Sequence, residues 1–322
     1  MSEVKSQNTQ PLNICCSTDD NYAQHCAVML CSLFVNNPTH RFSIHILINS
    51  LNEEYKKALT HLAKSYNSEI HFYEVDSSLL IGCKYRVLRP LSEAAYYRVL
   101  LSSIIPSNID KILYLDCDIV VIGDVCELFE IELDDYPLAA VQEPVEICED
   151  HRRQLSLPYG ESYFNSGVLL INLDYWRKNN SQVNLLEFSK RDRHVYCHDQ
   201  DALNYVFKKQ WYRLPPKWNK SNTATLELID FYHILDKREY IKDARIIHYI
   251  DEPKPWYGIY GTRYRKLYEK YLKISGWKKE KIKVKKPLNL YKRVFISRLK
   301  GILYNLGVLS FLKNIKVLWF SK

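Results

Sequence analysis

A chain of 322 residues with 47% hydrophobic and 25% charged side chains can bury a substantial core, which excludes a disordered or fibrous protein and allows one large or two small domains. The net charge of +8 is unevenly spread: Lys278 to Lys322 hold thirteen Lys or Arg against one acid, Glu280, so this tail carries +12 and the remainder −4, which argues against nucleic-acid binding by the body. The stretch MSEVKSQNTQPLN has no apolar signal core, and the nine cysteines form no C-x-x-C pair, so reduced thiols in a cytoplasmic protein are expected.

Residues 1–11 read as a disordered lead-in. Leu12 to Ser17 (LNICCS) reads as a first buried strand, and the polar STDDNYAQH opens a helix running to about Asn36. Cys15, Cys16, Cys26 and Cys31 lie among apolar residues and read as small core side chains. Phe42 to Ile48 is a second strand, Asn52 to Tyr66 a helix with Tyr55, Leu59, Leu62 and Ala63 on one face, and Ile70 to Val75 a third strand. Leu91 to Ile104 reads as a further helix with Ser92 as its cap. Strands and helices that alternate in this way predict a Rossmann-like, mainly parallel sheet with right-handed crossovers.

The next stretch, Lys111 to Asp124 (KILYLDCDIVVIGD), organises the chain. Ile112 to Leu115 and Ile119 to Ile122 are continuously apolar, so each reads as a strand of that sheet buried on both faces. Asp116 and Asp118 interrupt them. Side chains two apart in extended backbone point the same way, so the two carboxylates converge while Cys117 faces away. Converging carboxylates repel unless a cation joins them. A turn between strands is the alternative use of an Asp-x-Asp, but this pair sits at a strand's carboxyl end, the usual ligand crevice of an open α/β sheet.

Beyond Asp124, Leu138 to Gln142 reads as a short strand, Val145 to Gly160 as a polar loop or lid, and Tyr163 to Leu173 as a segment returning to the core. Asp199 to Lys208 reads as a helix, Arg245 to Tyr249 as a last buried strand carrying His248, and Thr262 to Lys273 as a helix. In the tail, Phe295, Leu299, Ile302, Leu306 and Leu309 lie near one helical face, and the longest uncharged run, Gly301 to Leu312, is too short to span a bilayer. The pattern suits a basic amphipathic helix on an anionic membrane surface; a helix packed on the body is the alternative. Dinucleotide, P-loop, zinc-protease and nucleophile-elbow motifs are all absent.

His248 is the best third partner for Asp116 and Asp118, and two carboxylates with one imidazole suit a borderline ion such as Mn²⁺ better than Ca²⁺, with Mg²⁺ also possible. Lys254, in a Pro-x-Pro turn six residues later, is placed to meet the same phosphates. The ordered blocks STDDNYA, AAYYRVLL, KILYLDCDIVVIGDV, YFNSGVLLINL, HDQDALN and HYIDEPKPW resemble those of glycosyltransferase family 8, and in particular the bacterial lipopolysaccharide α-galactosyl- and α-glucosyltransferases. The resemblance covers residues 12–277. It implies a single catalytic domain of GT-A type with a mixed, mainly parallel sheet, followed by the basic tail, 278–322. It also implies a retaining hexosyltransferase that uses UDP-galactose or UDP-glucose with Mn²⁺.

Matched by motif position, the resemblance assigns Asp116, Asp118 and His248 to the metal and Asp19, Asn21 and Tyr22 to uracil and ribose. Lys254 falls to the diphosphate, with Cys117 grouped among the donor-binding positions, and Arg98, Glu143, Asn165, Asp199 and Gln200 line the donor sugar. Four of them have a plainer use: Asp19 and Asn21 as turn and cap formers, Arg98 as partner of a surface acid, Asn165 as a hydrogen-bonder of buried main chain. One departure stands out, Asp251 where the family has Gly. The implied acceptor is a lipid-linked or lipopolysaccharide saccharide at the inner face of the cytoplasmic membrane. A metal-dependent phosphoesterase or nucleotidyltransferase, and a non-catalytic sugar-nucleotide or scaffold protein, are the rival readings.

Overall fold

The computed structural model describes residues 10–83, 93–143, 153, 155–157, 161–191, 197–222, 243–250, 253–259 and 264–278. Asp251, Ser92, most of the Val145–Gly160 loop and the tail beyond Lys278 lie outside them.

Strands β1 (Leu12–Ser17), β2 (Phe42–Ile48) and β3 (Glu69–Glu74) are parallel, and β4 (Lys111–Leu115) joins β1 on its other side, also parallel. With β6 (Leu138–Gln142), β7 (Phe164–Asn172) and β8 (Tyr212–Leu214) they make a seven-stranded sheet in the order β3-β2-β1-β4-β7-β6-β8. Only β7 runs against its neighbours, so the sheet is mixed and mainly parallel, as expected. The side-chain period of two explains the unbroken apolar runs. Ile14, Cys16, Ile44, Ile46, Leu113 and Leu115 enter the core on one face, while Cys15, Leu47, Ile112 and Tyr114 enter the core on the other.

Helix α1 (Ala23–Asn36) is buried along nearly its whole length, packed against β5 (Ile119–Val121) and the last described helix, Arg265–Ile274. Helix α2 (Glu53–Lys64) is the amphipathic case: Asn52 caps it, its side-chain Oδ1 accepting from the Glu54 N–H at 2.8 Å, and it buries only Leu59, Leu62 and Ala63.

Four expectations are corrected. The Leu91–Ile104 helix is instead a 3₁₀ run, Glu93–Leu100, followed by a short α-turn at Leu101–Ile104. From Tyr96 to Leu100 every residue is buried, so no apolar stripe with an opposite polar face is present to set an α-helical period. Second, β5 does not continue the main sheet. It pairs antiparallel with β10 (Ile246–His248), which pairs in turn with β9 (Lys220–Ser221), in a separate three-stranded sheet. Third, the chain after β7 forms helices α3 (Leu173–Lys178) and α4 (Ser181–Lys190), neither of which was expected. Fourth, β8 and β9 were missed.

The break between sheets falls inside the Asp-x-Asp. The Asp116 N–H donates to the Gly167 carbonyl at 2.9 Å, prolonging the β4–β7 ladder, while the Asp118 carbonyl accepts from the Tyr249 N–H at 2.9 Å, prolonging the β5–β10 ladder. Side chains on α1 hold the second sheet in place: Ser32 accepts from the Val121 N–H at 2.9 Å, and Asn36 donates to the Val121 carbonyl at 3.0 Å.

Candidate active site

Because β4 and β10 both end at this break, Asp116, Asp118 and His248 meet there, with one ligand atom from each lying within 4.8 Å of the others. His248 Nε2 is 3.1 Å from Asp118 Oδ1 and 3.8 Å from Asp116 Oδ2. The other ring nitrogen, Nδ1, lies 2.9 Å from Asn219 Oδ1. The Asn219 amide is oriented by its NH₂, which donates to Asn165 Oδ1 at 2.7 Å, so its oxygen faces the imidazole and Nδ1–H is the donor. Nε2 therefore faces the two carboxylates. A proton or a cation must fill that gap, and the donor set, one imidazole already oriented by Asn219 and two carboxylates, fits a divalent ion.

Gly167 makes the approach possible. A Cβ there would lie 2.2 Å from His248 Cε1 and 2.8 Å from Asp116 Oδ2, so only glycine leaves room.

Positive charge reaches the carboxylates from both sides. Lys254 Nζ is 2.9 Å from Asp118 Oδ2 and also donates to the main-chain carbonyls of Tyr249 and Ile250. Burial pushes the Asp118 carboxyl upward, but Lys254 and His248 outweigh it and hold the group well below the usual carboxylate range. Arg98 is buried, not paired with a surface acid. Its guanidinium bridges Asp116 Oδ1 at 2.7 Å and Asp199 Oδ2 at 3.0 Å and lies over the Tyr114 ring, 4.4 Å from its centroid. Asp199 follows the opposite course to Asp118: burial, reinforced by the Asp116 charge and opposed by Arg98, raises its carboxyl to about 6.

Of the remaining expected positions, Asp199, Gln200, Asn165 and Glu143 join this network. Ser166 Oγ donates to Asp199 Oδ2 at 3.2 Å, and the Ser166 N–H donates to Gln200 Oε1 at 2.9 Å. Asn165 donates to Glu143 Oε1 at 2.7 Å, while its own oxygen accepts from the Gly167 N–H at 2.9 Å, which is the plainer role foreseen for it. Asp19 acts as a turn former too, its Oδ1 accepting from the Tyr22 N–H at 3.0 Å; Asn21 is exposed in the same turn. The Tyr22 phenol is pushed up by burial and by the Asp118 charge, and its ring meets Trp256 edge-on at 6.1 Å. Trp256 in turn stacks on His25 at 3.7 Å, tying the Lys254 turn to α1. The Cys117 thiol turns away into the core and donates to the Ser17 carbonyl at 3.2 Å.

Sequence reasoning missed Asn219, Ser166 and the reason for Gly167. Only the last had a signal: a glycine inside an apolar strand marks a close approach.

The family described as Glycosyl transferase family 8 matches residues 13–259. General stress protein A of Bacillus subtilis (strain 168) is 28% identical over 275 residues, spanning 83% of this chain and 94% of its own. Lipopolysaccharide 1,2-glucosyltransferase of Escherichia coli is 30% identical over 279 residues, spanning 85% of this chain and 82% of its own. Among solved structures, the galactosyltransferase LgtC in complex with donor and acceptor sugar analogues superposes with a TM-score of 0.70 at 24% identity, over 86% of this chain and 99% of that one, a likeness of fold.

Proposed function

This chain belongs to glycosyltransferase family 8, and on that premise we propose that it transfers a hexose, galactose or glucose, from a UDP-sugar to a saccharide acceptor with retention of anomeric configuration. The observation that carries the proposal is the convergence of Asp116, Asp118 and His248 at the end of β4, with Lys254 on one side and the Arg98–Asp199 pair on the other. When bound there, a divalent ion, Mn²⁺ or alternatively Mg²⁺, supplies charge that stabilises the UDP leaving group. Lys254 adds a second positive charge beside the diphosphate. Asp19, Asn21 and Tyr22, at the mouth of α1, hold uracil and ribose. Arg98, Glu143, Asn165, Asp199 and Gln200 line the donor sugar, where Arg98 fixes the Asp199 carboxylate and Ser166 fixes Gln200.

As UDP departs, the anomeric carbon gains oxocarbenium character and the acceptor hydroxyl adds from the same face. Retention follows from two inversions through Asp199 as nucleophile, or from a front-face route in which the Gln200 amide oxygen steadies the cation. An Asp199→Asn enzyme with near-normal turnover excludes the first route. Names of relatives such as lipopolysaccharide 1,2-glucosyltransferase support a lipopolysaccharide-type acceptor.

Incubation with Mn²⁺, a panel of UDP-sugars and rough lipopolysaccharide, followed by weighing the products, tests the proposal. UDP release matched by an acceptor one hexose heavier is expected; UDP-sugar cleavage with no gain by any acceptor favours a phosphoesterase instead. We further propose that the basic tail, 278–322, holds the enzyme on the inner face of the membrane, at roughly 1 kcal/mol per basic residue near an anionic surface. Among the described residues no helix is long and apolar enough to cross a membrane. Deleting the tail is expected to abolish sedimentation with anionic vesicles and spare UDP-sugar hydrolysis; a truncated protein that still sediments refutes the anchor.

A further inference from the structure

Directly behind the carboxylate pair lies a second cluster of ligand atoms for which the transfer reaction has no use. Cys16 on β1, Cys26 on α1 and Cys117 between the two aspartates bring their sulfurs within 4.8 Å of one another, with Cys16 and Cys26 at 3.7 Å. All three belong to the same buried apolar core, so each thiol on its own would pass as a small hydrophobic side chain. Three of them converging on one point from three separate elements is a different matter, because sulfur donors select soft ions.

Charge decides which soft ion. Three thiolates around a monovalent ion leave two negative charges, and around a divalent ion one, buried in apolar surroundings and covalently next to Asp116 and Asp118. Uncompensated buried charge and repulsion between like charges both oppose those outcomes. A trivalent centre leaves none. We propose that Cys16, Cys26 and Cys117 form a three-sulfur site for a trivalent thiophilic metalloid, of the arsenic(III) or antimony(III) class, behind the catalytic carboxylates.

The chemistry matches buried thiols, which resist ionisation in apolar surroundings. Arsenous acid, As(OH)₃, reacts with three R–SH to give As(SR)₃ and three H₂O. Each step breaks one As–O and one S–H bond and forms one As–S bond, and the thiol proton leaves with the hydroxide as water. Neither oxidation state nor net charge changes. All three residues are buried, Cys16 and Cys26 at 0% exposure and Cys117 at 6%. The polar contacts surrendered are the Cys117 S–H bond to the Ser17 carbonyl and the Cys16–Cys26 thiol contact.

Three sulfurs bonded to one atom must close up from their present separations, and a pull on Cys117 bears on the main chain between Asp116 and Asp118. A misplacement of about 1 Å at a reacting centre costs roughly 100-fold in rate. This inhibition rests on the proposed transfer reaction; uptake of the metalloid does not, so the two are read separately.

The full-length protein is titrated with sodium arsenite and followed by native mass spectrometry, tryptic mapping and initial rate. One arsenic replacing three hydrogens per chain is expected, with arsenic joining the tryptic peptides 6–41, which holds Cys16 and Cys26, and 112–152, which holds Cys117. The initial rate falls about 100-fold. Cys26→Ala is expected to lose the link and the inhibition with its basal rate unchanged, whereas Cys31→Ala, on the same helix but outside the cluster, keeps both; Cys16→Ala repeats the test should Cys26→Ala fail to fold. No uptake, unlinked peptides, or a link that survives in Cys26→Ala overturns the site. A linked adduct that retains full rate overturns its coupling to catalysis.

Discussion

Replacing Asn219 with Ala tests the site through a residue that touches neither donor nor acceptor in the proposed reaction. Its carbonyl oxygen is the acceptor of His248 Nδ1–H at 2.9 Å, and both side chains are buried. Without it the imidazole has two courses. Either Nδ1–H stays buried and unpaired, at about 1–3 kcal/mol, or the proton moves to Nε2 and occupies the lone pair that faces Asp118. Both weaken metal binding, by about 10–100-fold, the usual cost of losing the partner that orients a ligating imidazole, equivalent to roughly 1.4–2.8 kcal/mol. Mn²⁺ titration in the presence of UDP, by calorimetry or electron paramagnetic resonance, measures this directly. Saturating Mn²⁺ is expected to restore most of the rate, because no group placed against the sugar has been removed. A folded Asn219→Ala protein with unaltered Mn²⁺ affinity refutes the assignment of Nε2 as the ligating atom.

Three further outcomes are expected. Gly167→Ala places a Cβ 2.2 Å from His248 Cε1, so it abolishes Mn²⁺ binding and lowers activity about 100-fold, while circular dichroism shows the sheets intact. Lys254→Ala removes the cation 2.9 Å from Asp118 and lowers kcat/KM for the donor by about 10–100-fold, as expected for a hydrogen bond to a charged group worth ~1.5–3 kcal/mol; donor saturation curves check it. Asp199, raised to about 6, must be ionised to act, so kcat/KM falls as pH drops below about 6, a limb that disappears in Asp199→Asn. The stability sign is opposite to that of a carboxyl held low, such as Asp118. Between the ordinary Asp value of 3.8 and about 6 the folded state binds more protons than the unfolded one, so the contribution of Asp199 to stability falls as pH rises through that window, which urea midpoints across it will show.

The buried strands were legible because parallel strands covered on both faces are apolar at consecutive positions: Leu12–Ser17 and Phe42–Ile48 were read with the bounds they have. The Asp116–Asp118–His248 group was legible for the same reason, since its members punctuate such runs. What the pattern does not encode is direction or partnership. The apolar run of β7 looks the same whether parallel or antiparallel, and Ile119–Val121 gives no sign of belonging to another sheet. Strands of two or three residues, such as β8 and β9, are too short to show a period at all. Asn219 is the instructive miss. Nothing around it in the chain marks it, and its role exists only because β10 brings His248 beside it. The 3₁₀ run around Arg98 fails for a related reason: a segment enclosed on every side has no stripe to read.

The seam between the two sheets has a mechanical corollary. Asp116 hangs from one ladder and Asp118 from the other, so sliding the small sheet against the large one changes the spacing of the two carboxylates. Any guest that clasps both therefore staples the sheets together, and by reciprocity a substitution on the far edge of the small sheet that lets it slip must loosen the guest, although it lies nowhere near the crevice.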